Sequence, residues 1–166
     1  MSDTNLVVRR ARADDWLALK TIRLEALRDT PEAYGSTIIT ALTFSEDRWR
    51  TMTAQMCYFL VERGGQVVGM AAGGLNNDHA GAHWLYGMYV TPSARGGAAA
   101  VMLVDVVEEW ARGEGATELH LDVTTCVARA SAFYLKLGFR PTGERHAMFR
   151  DPTMTLETMR RVIVDA

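Results

Sequence analysis

The run richest in small residues that could hold a ligand is Arg95-Gly96-Gly97-Ala98-Ala99-Ala100, which follows the segment Met88-Tyr89-Val90 and opens a stretch of helical periodicity. Residues with little or no side chain let successive backbone N–H groups close on an anion, and a helix start adds the positive end of its dipole. Arg95 supplies a full charge beside them, so a diphosphate is the ligand such a turn would receive. The same residues also suit a plain glycine turn entering an alanine-rich packing helix.

Groups able to carry a proton lie on both sides of this run. His83 and Tyr86 precede it, and His120 and Asp122 follow it on the polar side of another segment. Each has a structural reading as well: Tyr86 as core, His120 as a surface strand residue, Asp122 as the cap of the next turn. No base is assigned among them. Asp78-His79-Ala80-Gly81-Ala82-His83 carries two histidines four apart beside a carboxylate, which on a helix would face one metal ion. Gly81 and Asn76-Asn77 argue for a loop, so no metal is expected. Cys126 lies just before a helix start, where a thiolate would be stabilised, but lacks a histidine partner and reads as a packed thiol.

The elements that must position these groups alternate. Leu6 to Arg9 predicts a strand, and Trp16, Leu19, Ile22, Leu24 and Leu27 predict a helix stopped by Asp29-Thr30-Pro31. A loop through Tyr34-Gly35-Ser36 leads to a second helix from Ser45 to about Gln55, with an N-cap and acids in its first turn. Cys57–Glu62 and Gln66–Ala72 form a hairpin around Arg63-Gly64-Gly65, a polar Gly73–Gly81 segment follows, and His83–Val90 supplies the next strand. Ala99, Met102, Leu103, Val106, Val107 and Trp110 give a helix ended by Gly113 or Gly115. Leu119, Leu121 and Val123 alternate with polar residues as a strand; Ala128–Leu137 is a helix ended by Gly138; Phe139 onward is strand-like, with Thr153–Arg160 the last strand. This order predicts an α/β (α+β) fold, a mixed sheet with helices on its faces.

Composition sets the outer limits. The 166 residues suit one domain, and 48% hydrophobic and 23% charged residues exclude a disordered chain. A net charge of -2 lacks the positive field that phosphate backbones require, so nucleic acid is not an expected partner. No stretch reaches the ~18 apolar residues of a membrane helix, residues 1–15 show no secretory apolar region, and Cys57 and Cys126 show no pairing pattern. A cytoplasmic protein is expected. Arginine supplies 16 of the 18 basic residues, a bias of the kind a high-GC bacterial genome imposes.

The run from Tyr86 through Val90, Pro92, Arg95, Gly96 and Ala100 to Leu103 resembles the acetyl-CoA signature of the GNAT superfamily of N-acetyltransferases, R/Q-x-x-G-x-G/A. Leu121-Asp122-Val123, Ala130, Phe133-Tyr134-Leu135 and Gly138-Phe139 resemble that family's later block, N-x-x-A-x-x-x-Y-x-x-x-G-F. Thr21 to Leu27 followed by Pro31-Glu32-Ala33-Tyr34-Gly35 is similar to the first-helix region of many members. In this order the resemblance covers nearly the whole of residues 1–166, taken as a single domain.

The resemblance implies a mostly antiparallel sheet of six to seven strands with helices on both faces. It implies acetyl-CoA as cosubstrate and direct transfer of acetyl to a primary amine of a small molecule or protein, with no protein nucleophile. Backbone groups of Met88 and Val90, flanking Tyr89, would pair with the pantetheine arm, and amides from Arg95, Gly96, Gly97, Ala98, Ala99 and Ala100 would hold the pyrophosphate. Tyr134 stands where the family tyrosine protonates the departing thiolate; as a bare helix residue it would simply pack one turn after Ala130. Two positions depart from the pattern. Ala98 replaces the first signature glycine, which crowds the loop if the position needs positive φ and fits if it is helical. Val127 replaces an asparagine, removing one polar contact. These departures leave a non-catalytic descendant of the fold, binding CoA or nothing and serving as a sensor or partner domain, as the alternative. Acceptor choice falls to residues 32–43 and 73–82, and a homodimer would draw on the Met154–Val164 stretch.

Overall fold

The structure, a computed structural model, describes residues 5–163. Seven strands form one sheet: β1 (Leu6–Arg10), β2 (Cys57–Arg63), β3 (Gln66–Asn76), β4 (Ala82–Val90), β5 (Glu118–Thr124), β6 (Arg140–Met148) and β7 (Asp151–Val162), in the order β1-β2-β3-β4-β5-β7-β6. Every pairing is antiparallel except β4 with β5. The helices are α1 (Trp16–Asp29), α2 (Ile38–Leu42), α3 (Glu46–Gln55), α4 (Ala99–Gly113) and α5 (Ala128–Lys136).

Alternation along the strands divides the core in two. Phe59, Val61, Ala71, Leu85, Val90, Leu119, Leu121 and Val123 pack with α4 residues Leu103, Val104 and Val107 and with Tyr134 of α5. Tyr58, Leu60, Met70, Ala72 and Tyr89 pack on the opposite face with Leu19, Ile22, Ala26 and Leu27 of α1 and Trp49 of α3. Helices therefore cover both faces, as the period-two strands and the period-3.6 stripes on the helices require.

Three elements differ from expectation. The Gly73–Gly81 segment is not a loop: β3 continues to Asn76 and only a short turn, Asn77–His79, separates it from β4. Gly73 and Gly74 read as turn residues but are strand residues over which rings cross. A Cβ on Gly73 would stand 2.3 Å from Trp110 Cε3, and one on Gly74 would stand 3.1 Å from Tyr86 Cε2. Helix α2 was not expected. Its N-cap Thr37 accepts the Thr40 N–H at 3.2 Å, a local bond too weak in sequence signature to announce five residues of helix. Cys126 is exposed rather than packed, with Sγ 3.0 Å from Thr124 Oγ1.

Met154 to Val162 lies within β7, which is paired on one side with β5 and on the other with β6, so its backbone is spent inside the chain; Val164 lies outside the described residues. The sheet edge on that side is β6, exposed over residues 140–147 and carrying Pro141, Arg140, Glu144 and Arg145, residue types that discourage edge pairing. No helix among the described residues is long and apolar enough to cross a membrane.

Candidate active site

Strands β4 and β5 run parallel but pair only at His83 with Leu119 and at Trp84 with His120. Beyond that point they part. The cause lies in β4: Met70 opposes Tyr89 and Ala72 opposes Tyr86, so Ala71 faces two residues, Gly87 and Met88. Gly87 adopts φ +58, a left-handed conformation that costs a residue with a Cβ about 1–2 kcal/mol. A bulge of this kind bends its strand and increases its twist, which here carries β4 away from β5.

The gap has a defined polarity. The Thr91 N–H donates to Val68 O on β3 at 2.9 Å, so alternation turns the Met88 and Val90 groups toward the gap. Both carbonyls there are already held. Tyr34 Oη donates to Met88 O at 2.9 Å, and Arg95 Nε donates to Val90 O at 3.0 Å. The N–H donors of Met88 and Val90 are what the strand presents to the gap.

Two cavities meet at this gap. The smaller, about 270 Å³, is lined by Thr30, Met88, Tyr89, Val90, Arg95, Gly96, Ala100, Val127, Arg129 and Tyr134 among others. The larger, about 1030 Å³, includes Arg23, Tyr34, Ser36, Tyr86, Gly87, Met88, Asp122 and Tyr134 in its wall. Tyr34, Met88 and Tyr134 belong to both. Tyr134 is buried, its ring edge-on to Phe133 at 5.2 Å and to Phe139 at 5.6 Å, and its hydroxyl makes no hydrogen bond to another described residue. Burial first, and the neighbouring Tyr34 second, raise its pKa above the ordinary phenol value, so it stays protonated. Tyr34 is pushed up to about 12, chiefly by burial, and keeps its proton for Met88.

The cofactor-binding residues expected from the sequence separate into two groups. Met88, Tyr89, Val90, Arg95, Gly96 and Ala100 reach the smaller cavity. Gly97, Ala98 and Ala99 are not on its wall, and the Ala99 side chain is buried in the core. Gly96 is the residue that needs its glycine, at φ +79, whereas Ala98 sits at φ -76, ψ -15, so its Cβ is accommodated in ordinary helical backbone. Val127 caps α5 with no side-chain hydrogen bond. Tyr89 contributes backbone only, since its hydroxyl donates to Glu25 Oε1 at 3.1 Å under α1. The Arg95 side chain is tied down: it pairs with Asp29 at the end of α1, and this contact, above all else, holds the Asp29 carboxyl below its usual range. Its charge still lies beside Gly96, with Arg129, bonded to Thr30 Oγ1 at 3.0 Å, as a second cation on the wall.

Of the four proton-carrying candidates, Tyr86 and Asp122 line the larger cavity and His83 and His120 do not. The His83 ring packs on Trp110 at 5.3 Å, and His120 stacks on Trp84 at 5.6 Å. His79 lies against Trp84 instead, so the two histidines of the Asp78–His83 run serve different aromatic contacts. Asp122 accepts from Thr158 Oγ1 at 2.7 Å and meets His146 Nε2 at 3.2 Å. Sequence reasoning missed His146, Arg23 and the role of Tyr34; the Pro31–Gly35 run was the available signal for the last. It also missed Arg150, whose Nε and Nη2 donate to Tyr34 O at 2.8 Å and Pro31 O at 2.6 Å, fastening the β6–β7 turn to the loop after α1.

The site is a bulged strand parting from its parallel neighbour, with a small-residue turn and helix start at one end and a buried phenol across the gap. The Acetyltransferase (GNAT) family model matches residues 19–139, and the chain belongs to that family of N-acetyltransferases. It is 38% identical over 69 residues to an aminoglycoside N(6')-acetyltransferase type 1 of Klebsiella aerogenes, a match covering 42% of this chain and 45% of that protein, so it spans less than half of that relative. Among solved structures, a GCN5-related N-acetyltransferase from Kribbella flavida is 25% identical with a TM-score of 0.77, covering 97% of this chain and 99% of that one. The yncA protein of Salmonella typhimurium, solved with its cofactor acetyl-CoA, is 19% identical with a TM-score of 0.77, covering 98% of this chain and 96% of its own, a likeness of fold.

Proposed function

We propose that this protein transfers the acetyl group of acetyl-CoA to a primary amine by direct attack, with Tyr134 as the acid. The observation that carries this reading is that Tyr134 and Met88 stand where the two cavities meet. The smaller cavity takes the cosubstrate: the Gly96 turn and the start of α4 receive the pyrophosphate, and the amide of Val90 pairs with the pantetheine arm. The larger cavity takes the acceptor.

Acetyl-CoA supplies a thioester-activated acetyl group, so the amine forms its N–C bond as the C–S bond breaks. The Met88 N–H, facing the gap, is placed to stabilise negative charge on the carbonyl oxygen. Tyr134 gives its proton to the sulfur as the thiolate departs. The amine's proton leaves toward Asp122, which lines the acceptor side and has His146 behind it.

Calorimetric titration with acetyl-CoA, followed by thiol release over an amine panel, tests the reading. Micromolar binding together with turnover is expected. Binding without turnover across the panel would favour a non-catalytic CoA-binding domain, and no binding at millimolar ligand would remove the cosubstrate assignment.

A further inference from the structure

Four charged side chains line the larger cavity: Arg10, Arg23, Glu114 and Asp122. Asp122 already has polar partners, and Arg10 and Glu114 both lie near the Cys57 thiol. Asp122 meets His146 and accepts from Thr158. At the Cys57 end of the cavity the two charges act on the thiol in opposite directions, Arg10 lowering and Glu114 raising its pKa. Arg23 has no acid within ion-pair distance among the described residues. Its Nη2 donates to Ser36 Oγ at 2.7 Å and its Cζ lies 5.0 Å from the Tyr34 ring centroid. Nη1 points to the bulge, 3.3 Å from where a Cβ on Gly87 would stand.

A guanidinium carries five N–H donors in a planar fork that matches a carboxylate, and one hydroxyl with an aromatic face leaves most of that fork unused. A half-buried cation without a counter-ion in a ligand cavity is stabilised by an anion that arrives with the ligand. Gly87 is adjacent to Met88, whose N–H faces the reacting gap. An anion on Arg23 therefore stands only a short molecule's length from the transferred acetyl group.

We propose that Arg23, assisted by the Ser36 hydroxyl, binds an anionic group on the acceptor, and that the substrate class is a small amine bearing a carboxylate, as in an amino acid. This rests on the acetyl-transfer reading above. A polycationic amine would place positive charge against Arg23 and is disfavoured.

The test uses the full chain with saturating acetyl-CoA and matched acceptor pairs: L-methionine against L-methioninamide, 4-aminobutyrate against butylamine, with kanamycin A as a polycation. Charge-assisted hydrogen bonding predicts that kcat/KM favours the carboxylate member by roughly 10- to 100-fold, carried mainly by KM. This preference would run against intrinsic reactivity in the methionine pair, because the amide's amine is the more deprotonated. R23Q should collapse the ratio toward one, and R23K, which keeps charge but loses the fork, should restore part of it. A merely structural role for Arg23 would slow both members alike and leave the ratio intact, which overturns the proposal. So would wild-type preference for the amides or kanamycin A, or acetylation of no carboxylate-bearing amine. Turnover of the uncharged or cationic amines in those cases would leave the acetyltransferase reading standing, so the two can fail separately.

Discussion

Replacing Tyr134 with Phe removes one oxygen and keeps the ring against Phe133 and Phe139. Since the hydroxyl makes no hydrogen bond to another described residue, its loss should change stability by no more than about 1 kcal/mol. For a chain of this size that is a Tm shift of roughly 2–4 °C. A positioned acid contributes about 10²- to 10⁴-fold to rate, so kcat should fall by that factor, about 2.7–5.4 kcal/mol in barrier at 1.36 kcal/mol per decade. Affinity for acetyl-CoA should weaken by less than about tenfold, the worth of one neutral hydrogen bond. Because burial raises the Tyr134 pKa above that of a free phenol, the acid stays loaded beyond about pH 10, and any alkaline loss of activity below that should be the same in both proteins. The assay is single-turnover acetyl transfer by rapid quench, since slow product release would hide a chemical defect in steady-state kcat. A transfer rate within threefold of wild type, in a variant that binds acetyl-CoA and melts normally, would refute Tyr134 as the acid.

Three other perturbations test the surrounding construction. Ala98→Gly should leave acetyl-CoA affinity within about twofold, because Ala98 is already helical, whereas Gly96→Ala should weaken it by roughly tenfold, the cost of about 1–2 kcal/mol for a Cβ at φ +79; calorimetry on both decides between them. Gly73→Ala places a methyl 2.3 Å from Trp110 Cε3 and should cost about 1–3 kcal/mol by overpacking, read as a lowered Tm. The pKa of His120 is lowered, first by burial beneath Trp84, so the unfolded chain binds its proton more readily than the folded one. Stability from this site is then fully present above the ordinary histidine value of about 6.5 and is lost as pH falls through it toward the folded value. Urea midpoints at about pH 8 and pH 5 should differ less in His120→Phe than in wild type, and an equal difference would exclude His120 as a source.

The fold was legible where periodicity was strong and tertiary contacts agreed with it. The Cys57–Ala72 hairpin, the stripe from Ala99 to Trp110 and the stop at Thr30-Pro31 are local signals, and the structure keeps them. Misreadings came where a distant side chain decides the local conformation. Gly73 and Gly74 look like turn residues until Trp110 and Tyr86 are known to lie over them. The site divided in the same way. Gly96 and Tyr134 carry recognisable spacing, but the partners of Arg95 and Asp122 lie 66 and 24 residues away, a separation that no local pattern encodes.

Tyr34 shows why the gap needs more than its two strands. A strand edge leaving a sheet exposes carbonyls as well as amides, and a carbonyl beside a developing oxyanion would oppose the charge. Here Tyr34 covers the Met88 carbonyl and Arg95 covers that of Val90, so the edge is left as a row of donors. Both covering groups depend on the end of α1: Tyr34 closes the Pro31–Ala33 turn that follows the helix, and Arg95 is paired with Asp29. Arg150 adds the far hairpin to the same loop through Tyr34 O and Pro31 O. The bulge at Gly87 opens the sheet, and the segment from Asp29 to Tyr34 gives the opening its polarity, so that stretch of loop belongs to the chemistry as much as the glycine turn does.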